Sequence, residues 1–419
     1  ADRKRASRAC LLAGTVLSAY GTELVTSPEG AQWASRADRY AEPDTIERAR
    51  ADAMLGLGER YRFGSSPEGV AILNRALNLA RRLGDTDTYW SVATYWLVGA
   101  DAPQHDQQRL RLVEELADKS RHGVPCLILG WVLYIAAHIF LEFGQRRRAE
   151  DVMAELKTLA ERSEQPNLLI LSMMSDAIMA IWDGRLEEAP TIRRRMLSRG
   201  EQLGILEFAG VWAYFILPAR VHLGEARRAL ESVLQGTTNR SQNAVDGAMH
   251  LYCLAHLGRC DEATNELERL VLARPNIGTD EDETFGWADI MSLEAAVLAE
   301  HRRPAELLLR RLSDSSCVTG GLWFPTCKSR HMGAAAVSLG RPDEGRKHYQ
   351  KAIEDCTEMR FRPELALTRL QLAELLLEHY PAEKKEALDH LDFAIKEFQD
   401  MKMQPSLERA LRHKEILKA

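Results

Sequence analysis

Apolar residues recur at helical spacing along nearly the whole chain, broken by short polar or glycine-bearing stretches, and no run shows the period of two that a strand needs. The breaks repeat. Gly144-Gln-Arg-Arg-Arg-Ala149, Gly184-Arg-Leu-Glu-Glu-Ala189, Gly258-Arg-Cys-Asp-Glu-Ala263 and Gly340-Arg-Pro-Asp-Glu-Gly345 each put a small residue five positions after a glycine that closes an apolar helix, on a spacing of about 40 residues. Glycine lets the chain leave one helix, and the small residue lets the next press against it. Repetition of that unit predicts an all-α protein: a right-handed αα-superhelix of about ten helix pairs with a C-terminal capping helix.

The first five pairs are read at 3–20 with 28–41, 45–63 with 67–83, 86–98 with 107–121, 125–143 with 146–162, and 165–183 with 186–202. Pair six, 206–223 with 225–234, carries Pro218, which should kink its first helix. The polar stretch 235–242 is the best internal hinge and divides one continuous solenoid into N-terminal repeats 1–235 and C-terminal repeats 243–419. Pairs seven to ten follow at 243–257 with 261–273, 283–300 with 304–312, 324–339 with 342–359, and 362–380 with 384–401, and 406–417 caps the stack.

At 419 residues, 45% hydrophobic and 28% charged, the chain is long enough to need an array and too apolar for disorder. A net charge of -6 supplies no field that would gather nucleic acid or an anionic membrane, so neither is expected as a partner. Seven scattered cysteines with no CxxC pair fit reduced core residues and a cytoplasmic location. Gly123–Leu141 carries no Lys, Arg, Asp or Glu and nearly reaches spanning length, but Pro125, Gly130, His138 and the register of Gly144 and Ala149 read it as a buried first helix. A start at Ala1, inside a helical pattern, suggests that upstream sequence has been removed.

The segment Gly333-Ala-Ala-Ala-Val-Ser-Leu-Gly340, continuing through Gly345 and Tyr349 to Ala352, resembles a tetratricopeptide repeat, with Gly333 and Ala352 at its small positions and Tyr349 at a large one. The spacing exceeds the usual 34, so the array is a longer, degenerate variant. The stretches 362–377 and 386–395 are similar to the last repeats of bacterial STAND or AAA-type ATPase signalling proteins, adenylate or guanylate cyclase-linked or LuxR-type. That resemblance implies a sensor or partner-docking arm whose ATPase or cyclase would lie upstream, and it hands no catalytic role to any residue of this chain.

In the tetratricopeptide register Tyr89, Trp96, Trp131, Tyr134, His138, Tyr214, Tyr252, His256 and Trp287 point inward, and aromatics with a polar tip suit a protein or peptide segment lying in a concave groove. A small-molecule effector is a second partner class. His250, Cys253, His256 and Cys260 are the one cluster resembling a metal site, but Gly258 should end the helix before Cys260, so no metal and no cofactor is expected. The arginines at 146–148, 193–195, 227–228 and 310–311 read as a solvated outer face, and the acidic loop 280–283 as favourable charge at a helix start. Gly320–Pro325 is either a small exposed contact or the start of a helix. No phosphate loop, GxGxxG, HExxH or GxSxG is present. The reading is a non-enzymatic interaction scaffold; its rivals are a free-standing peptide or small-ligand sensor and an all-α enzyme with dispersed catalytic residues.

Overall fold

The computed structural model describes residues 2–20, 27–63, 66–237 and 244–416. The class is all-α, and the helices pair in sequence. Pairs one to three are α1 (Asp2–Tyr20) with α2 (Pro28–Tyr40), α3 (Ile46–Phe63) with α4 (Pro67–Leu83), and α5 (Thr86–Gly99) with α6 (Asp106–Asp118). Pairs four and five are α7 (Cys126–Glu142) with α8 (Arg146–Ser163) and α9 (Pro166–Trp182) with α10 (Glu188–Gln202). In pair six the first helix breaks at Pro218 as expected, into α11 (Leu206–Ala213), a 3₁₀ turn at Tyr214–Ile216 and α12 (Leu217–His222), before α13 (Ala226–Thr237). Then come α14 (Ala244–His256) with α15 (Cys260–Leu267), α16 (Gly286–Leu298) with α17 (Arg302–Ser313), α18 (Lys328–Ser338) with α19 (Pro342–Glu358), α20 (Arg362–His379) with α21 (Lys384–Met401), and the cap α22 (Gln404–Ile416). Most of the hinge expected at 235–242 lies outside the described residues.

One backbone device builds the pairs. At residues 144, 184, 224, 258, 300 and 340 the chain turns with φ between +55° and +83°. In each turn the next N–H reaches back to the carbonyl five residues earlier, from Gln145 to Phe140 through to Arg341 to Ala336, at 2.7–3.1 Å. Five residues after each turn sits Ala149, Ala189, Ala229, Ala263, Ala305 or Gly345, all buried. Size matters there: a Cβ on Gly345 would meet Val337 at 2.5 Å, and one on Gly333 would meet the Tyr349 ring at 2.6 Å.

The array winds back on itself. His105 meets Glu283 across 178 residues, His138 meets Leu322 across 184, and Arg362 meets Asp183 across 179. Trp182 and Phe361 stack with ring centres 4.0 Å apart. Pairs three to five thus lie against pairs eight to ten. Between α17 and α18 an antiparallel ribbon, β1 (Thr319–Gly320) and β2 (Phe324–Cys327), runs into the space between the windings. No helix among the described residues is long and apolar enough to cross a membrane, and the apolar run at 123–141 forms α7 inside the stack.

Candidate functional site

The trough that the inward aromatics were expected to line is filled. Tyr89, Trp96, Tyr134, His138, Tyr214, Tyr252 and Trp287 are buried, while Trp131 and His256 are half-buried. Three polar tips bond the chain itself, Tyr89 Oη donating to Glu115 at 2.7 Å, Trp96 Nε1 to Asn74 at 2.7 Å and Tyr214 Oη to the Val233 carbonyl at 2.6 Å, whereas Tyr134 Oη and Trp287 Nε1 are buried without a hydrogen-bond partner. Trp131, Tyr134, Phe208, Trp212, Phe215 and Trp287 form a continuous ring-to-ring chain that ends on Trp323 of the ribbon. The physical reason is winding. An inner face that would be open in a single turn is covered once residues 180 positions on fold over it. Gly320–Pro325, expected as an exposed contact or a helix start, is the buried plug.

The ribbon is held by a polar centre on α6, α7 and the connector between α5 and α6. His138 Nδ1 accepts the Leu322 N–H at 3.0 Å while its ring stacks on Trp323 with centres 3.9 Å apart. Val318 N–H donates to the Glu142 carbonyl at 2.6 Å and Thr319 Oγ1 to the Leu141 carbonyl at 2.8 Å. Asp106 caps the approach to the ribbon, accepting from Ser315 Oγ at 2.8 Å and Ser316 N–H at 2.9 Å. Gly321 has φ +61°, and a Cβ there would sit 2.5 Å from His138 Nδ1, so only glycine passes.

Beneath these contacts Arg109 Nη1 lies 2.7 Å from Asp101 and 2.8 Å from Glu142, all three buried. Two carboxylates share one guanidinium, which leaves a negative charge uncompensated in a medium that does not solvate it. Burial pushes Asp101 and Glu142 each up to about 7 and His138 down to about 3. Burial pulls Arg109 down, but Asp101 and Glu142 outweigh it and hold Arg109 above its ordinary value.

Asp101, His138 and Glu142 bring three ligand-type atoms within 4.8 Å of one another, the spacing of a metal site. The hydrogen bonds decide against it. With Nδ1 accepting from Leu322, the neutral ring carries its proton on Nε2, which faces Glu142 at 3.3 Å and has no lone pair for a cation. Arg109 already occupies the position of counter-ion. The His250, Cys253, His256 and Cys260 set does not converge: Cys253 is buried and pushed up to about 12 by burial, while Cys260 begins the next helix, exposed.

Two further charge clusters clasp the windings, and both correct the sequence reading. Asp282 and Glu283 of the acidic loop are buried rather than sitting as free charge at a helix start. Arg311 Nε binds Asp289 at 2.6 Å and its Nη2 donates to the Asp282 carbonyl at 2.7 Å; Glu283 takes His105 on its side chain and Arg60 on its carbonyl. Arg146 likewise leaves the outer face to donate to the carbonyls of Met359 and Arg360 at 3.0 Å. Deeper in the second winding, Arg330 binds Glu364 at 2.7 Å, with His331 and Glu294 alongside. No periodicity marks these partners, because they lie far apart in sequence and on different helices.

No family model and no curated protein matches the chain. Among solved structures it is similar to one described as a circular tandem repeat protein with novel repeat topology and enhanced subunit contact surfaces, at 16% identity over 98% of this chain and 99% of that one. The TM-score is 0.18, so the two backbones do not superpose as wholes.

Proposed function

We propose that the chain is a protein-interaction scaffold that meets its partner on its outer surfaces and rims rather than in an interior cleft. The closed trough carries this reading. The cavity beside Asp101, Glu142 and Cys317 measures about 10 Å³, the space of about one water, so the buried carboxylates stand beyond the reach of a substrate. Withdrawing Leu322, Trp323 and Phe324 would cost roughly 2–3 kcal/mol each, a sum on the scale of the about 5–15 kcal/mol that holds a whole domain together. A partner of ordinary affinity does not repay that by entering the trough. Of the inward aromatic set we therefore assign partner contact to the half-buried Trp131 and His256.

The context of a bacterial signalling ATPase rests on the sequence resemblance alone. If it holds, a body clasped across two windings would move as a unit and pass a docking event on as rigid displacement. The test is affinity capture on the intact chain, with crosslinking and a heat-unfolded control. A reproducible protein partner crosslinked to outer helices or to the rims near Trp131 and His256 supports the scaffold. Chemical conversion of a small molecule by the chain, with no protein captured above the control, overturns it.

A further inference from the structure

Resting on the scaffold reading, we infer that the outer groove of pairs four and five is the docking site for an acidic segment with apolar anchor residues. The groove lies between α8 and α10 with α9 as its floor, and encloses about 440 Å³, within the usual range of about 300–1,000 Å³ for a recognition pocket. Its apolar lining is Leu169 and Met173 of the floor with Ala160 of α8, and Ser172 and Asp176 complete the floor. Leu169 and Met173 stand four positions apart on α9, so they present neighbouring side chains on one face.

The charge at the groove is lopsided. Its walls and floor bear Lys157, Arg195 and Arg199 against Glu161 and Asp176. Lys157 and Asp176 pair with each other at 3.1 Å, both half exposed. That leaves two guanidiniums on α10 facing one carboxylate on α8. Arg199 bonds only Gln202 of its own helix, at 3.2 Å, and Arg195, exposed, makes no ion pair or hydrogen bond among the described residues. Their neighbours on α10 differ in use: Arg193 donates to the Ala213 carbonyl at 3.2 Å and Arg194 to Thr191 at 3.0 Å. Three arginines beside repeat turns, Arg146, Arg148 and Arg228, are by contrast paired with carboxylates. Two guanidiniums without a carboxylate partner among the described residues, spaced by one helical turn beside an apolar lining, match a segment that carries carboxylates beside a Leu-sized or Phe-sized side chain. Guanidinium takes carboxylate with paired, directional hydrogen bonds, which adds register to attraction.

The experiment pans a displayed random peptide library against the intact chain, then re-measures the enriched peptides on an Arg195→Glu/Arg199→Glu double variant and on Met173→Lys. These positions are exposed or half-buried, and an unchanged thermal transition verifies each variant's fold. The expected result is enrichment of peptides rich in Asp or Glu with one or two large apolar residues. Affinity should fall at least tenfold on either variant and weaken as salt rises from 50 to about 300 mM. Peptides that enrich but bind both variants unchanged would sink this site and leave the scaffold standing on another surface. A library that enriches nothing removes the groove proposal, whereas the scaffold answers to the capture experiment.

Discussion

Asp101 has one oxygen on Arg109 and the other buried without a hydrogen-bond partner. Replacing it with asparagine keeps the acceptor toward Arg109, puts the amide where no donor stands, and removes the surplus charge. Asp101→Asn is expected to stabilise the fold by about 1–2 kcal/mol at pH 8, read by thermal or urea unfolding. A loss of stability would mean that the charge is needed. The pH dependence has a sign. With folded pKa values raised to about 7, the carboxylate pair binds protons more tightly in the folded chain, so its stabilising contribution is complete below the ordinary carboxylate range and is lost as pH climbs to about 7. His138, pushed down to about 3, contributes fully above its ordinary 6.5 and loses that contribution on acidification. Over pH 6.5 to 8 the buried histidines, with His222 pushed down to about 4 and His331 to about 3 beside His138, gain while the carboxylates lose, so the carboxylate effect is read as a difference: the stability of the natural chain relative to Asp101→Asn should fall across that interval.

At the scale of the element, the repeat turn is the unit of construction, and Glu300 occupies a conformation that costs an L side chain about 1 kcal/mol. Glu300→Gly is expected to raise stability by about 0.5–1 kcal/mol, whereas Ala229→Leu, five residues beyond the sister turn, overfills a fully buried position and should lose about 1–3 kcal/mol. Equilibrium urea unfolding of both variants checks the pair; equal and small effects would mean that neither position governs pairing. These turns also explain how the helices were legible in sequence. Glycine followed by a small residue is a local signal for four of the pairs and for the turn at Gly258 after α14, while the ring of Pro218 signals the break in pair six. Helix boundaries at 223 and 300 are also read from the sequence, but the series of four motifs leaves both turns out: glutamate stands in place of glycine at 300, and Gly224 with Ala229 fits the spacing yet lies outside the series. The ribbon at 319–327 gave no alternation because both of its faces are buried.

On the scale of the whole molecule, accessibility is not legible in the sequence. Of the residues that the tetratricopeptide register turns inward, His138 and Trp287 meet Trp323 and Tyr252 meets Phe324 of the ribbon, whereas Tyr89, Trp96 and Tyr214 bond neighbouring helices, and nothing local reports that a second winding comes down on the first. Trp323→Ala is expected to cost about 3–5 kcal/mol and to raise amide exchange at 138–142 and 283–287 together, since one ring touches both windings through His138 and Trp287. Exchange that rises only near residue 323 would show that the windings are held independently of the plug.

The 184-residue interval between His138 and Leu322 also sets a schedule during synthesis. At about 5–20 residues per second, a ribosome delivers the partner roughly 10–40 s after the histidine has emerged. Throughout that delay Asp101, Asp106 and Glu142 stay hydrated beside a strip of exposed rings. The desolvation of Asp101 and Glu142 is therefore deferred until the ribbon arrives to cover them.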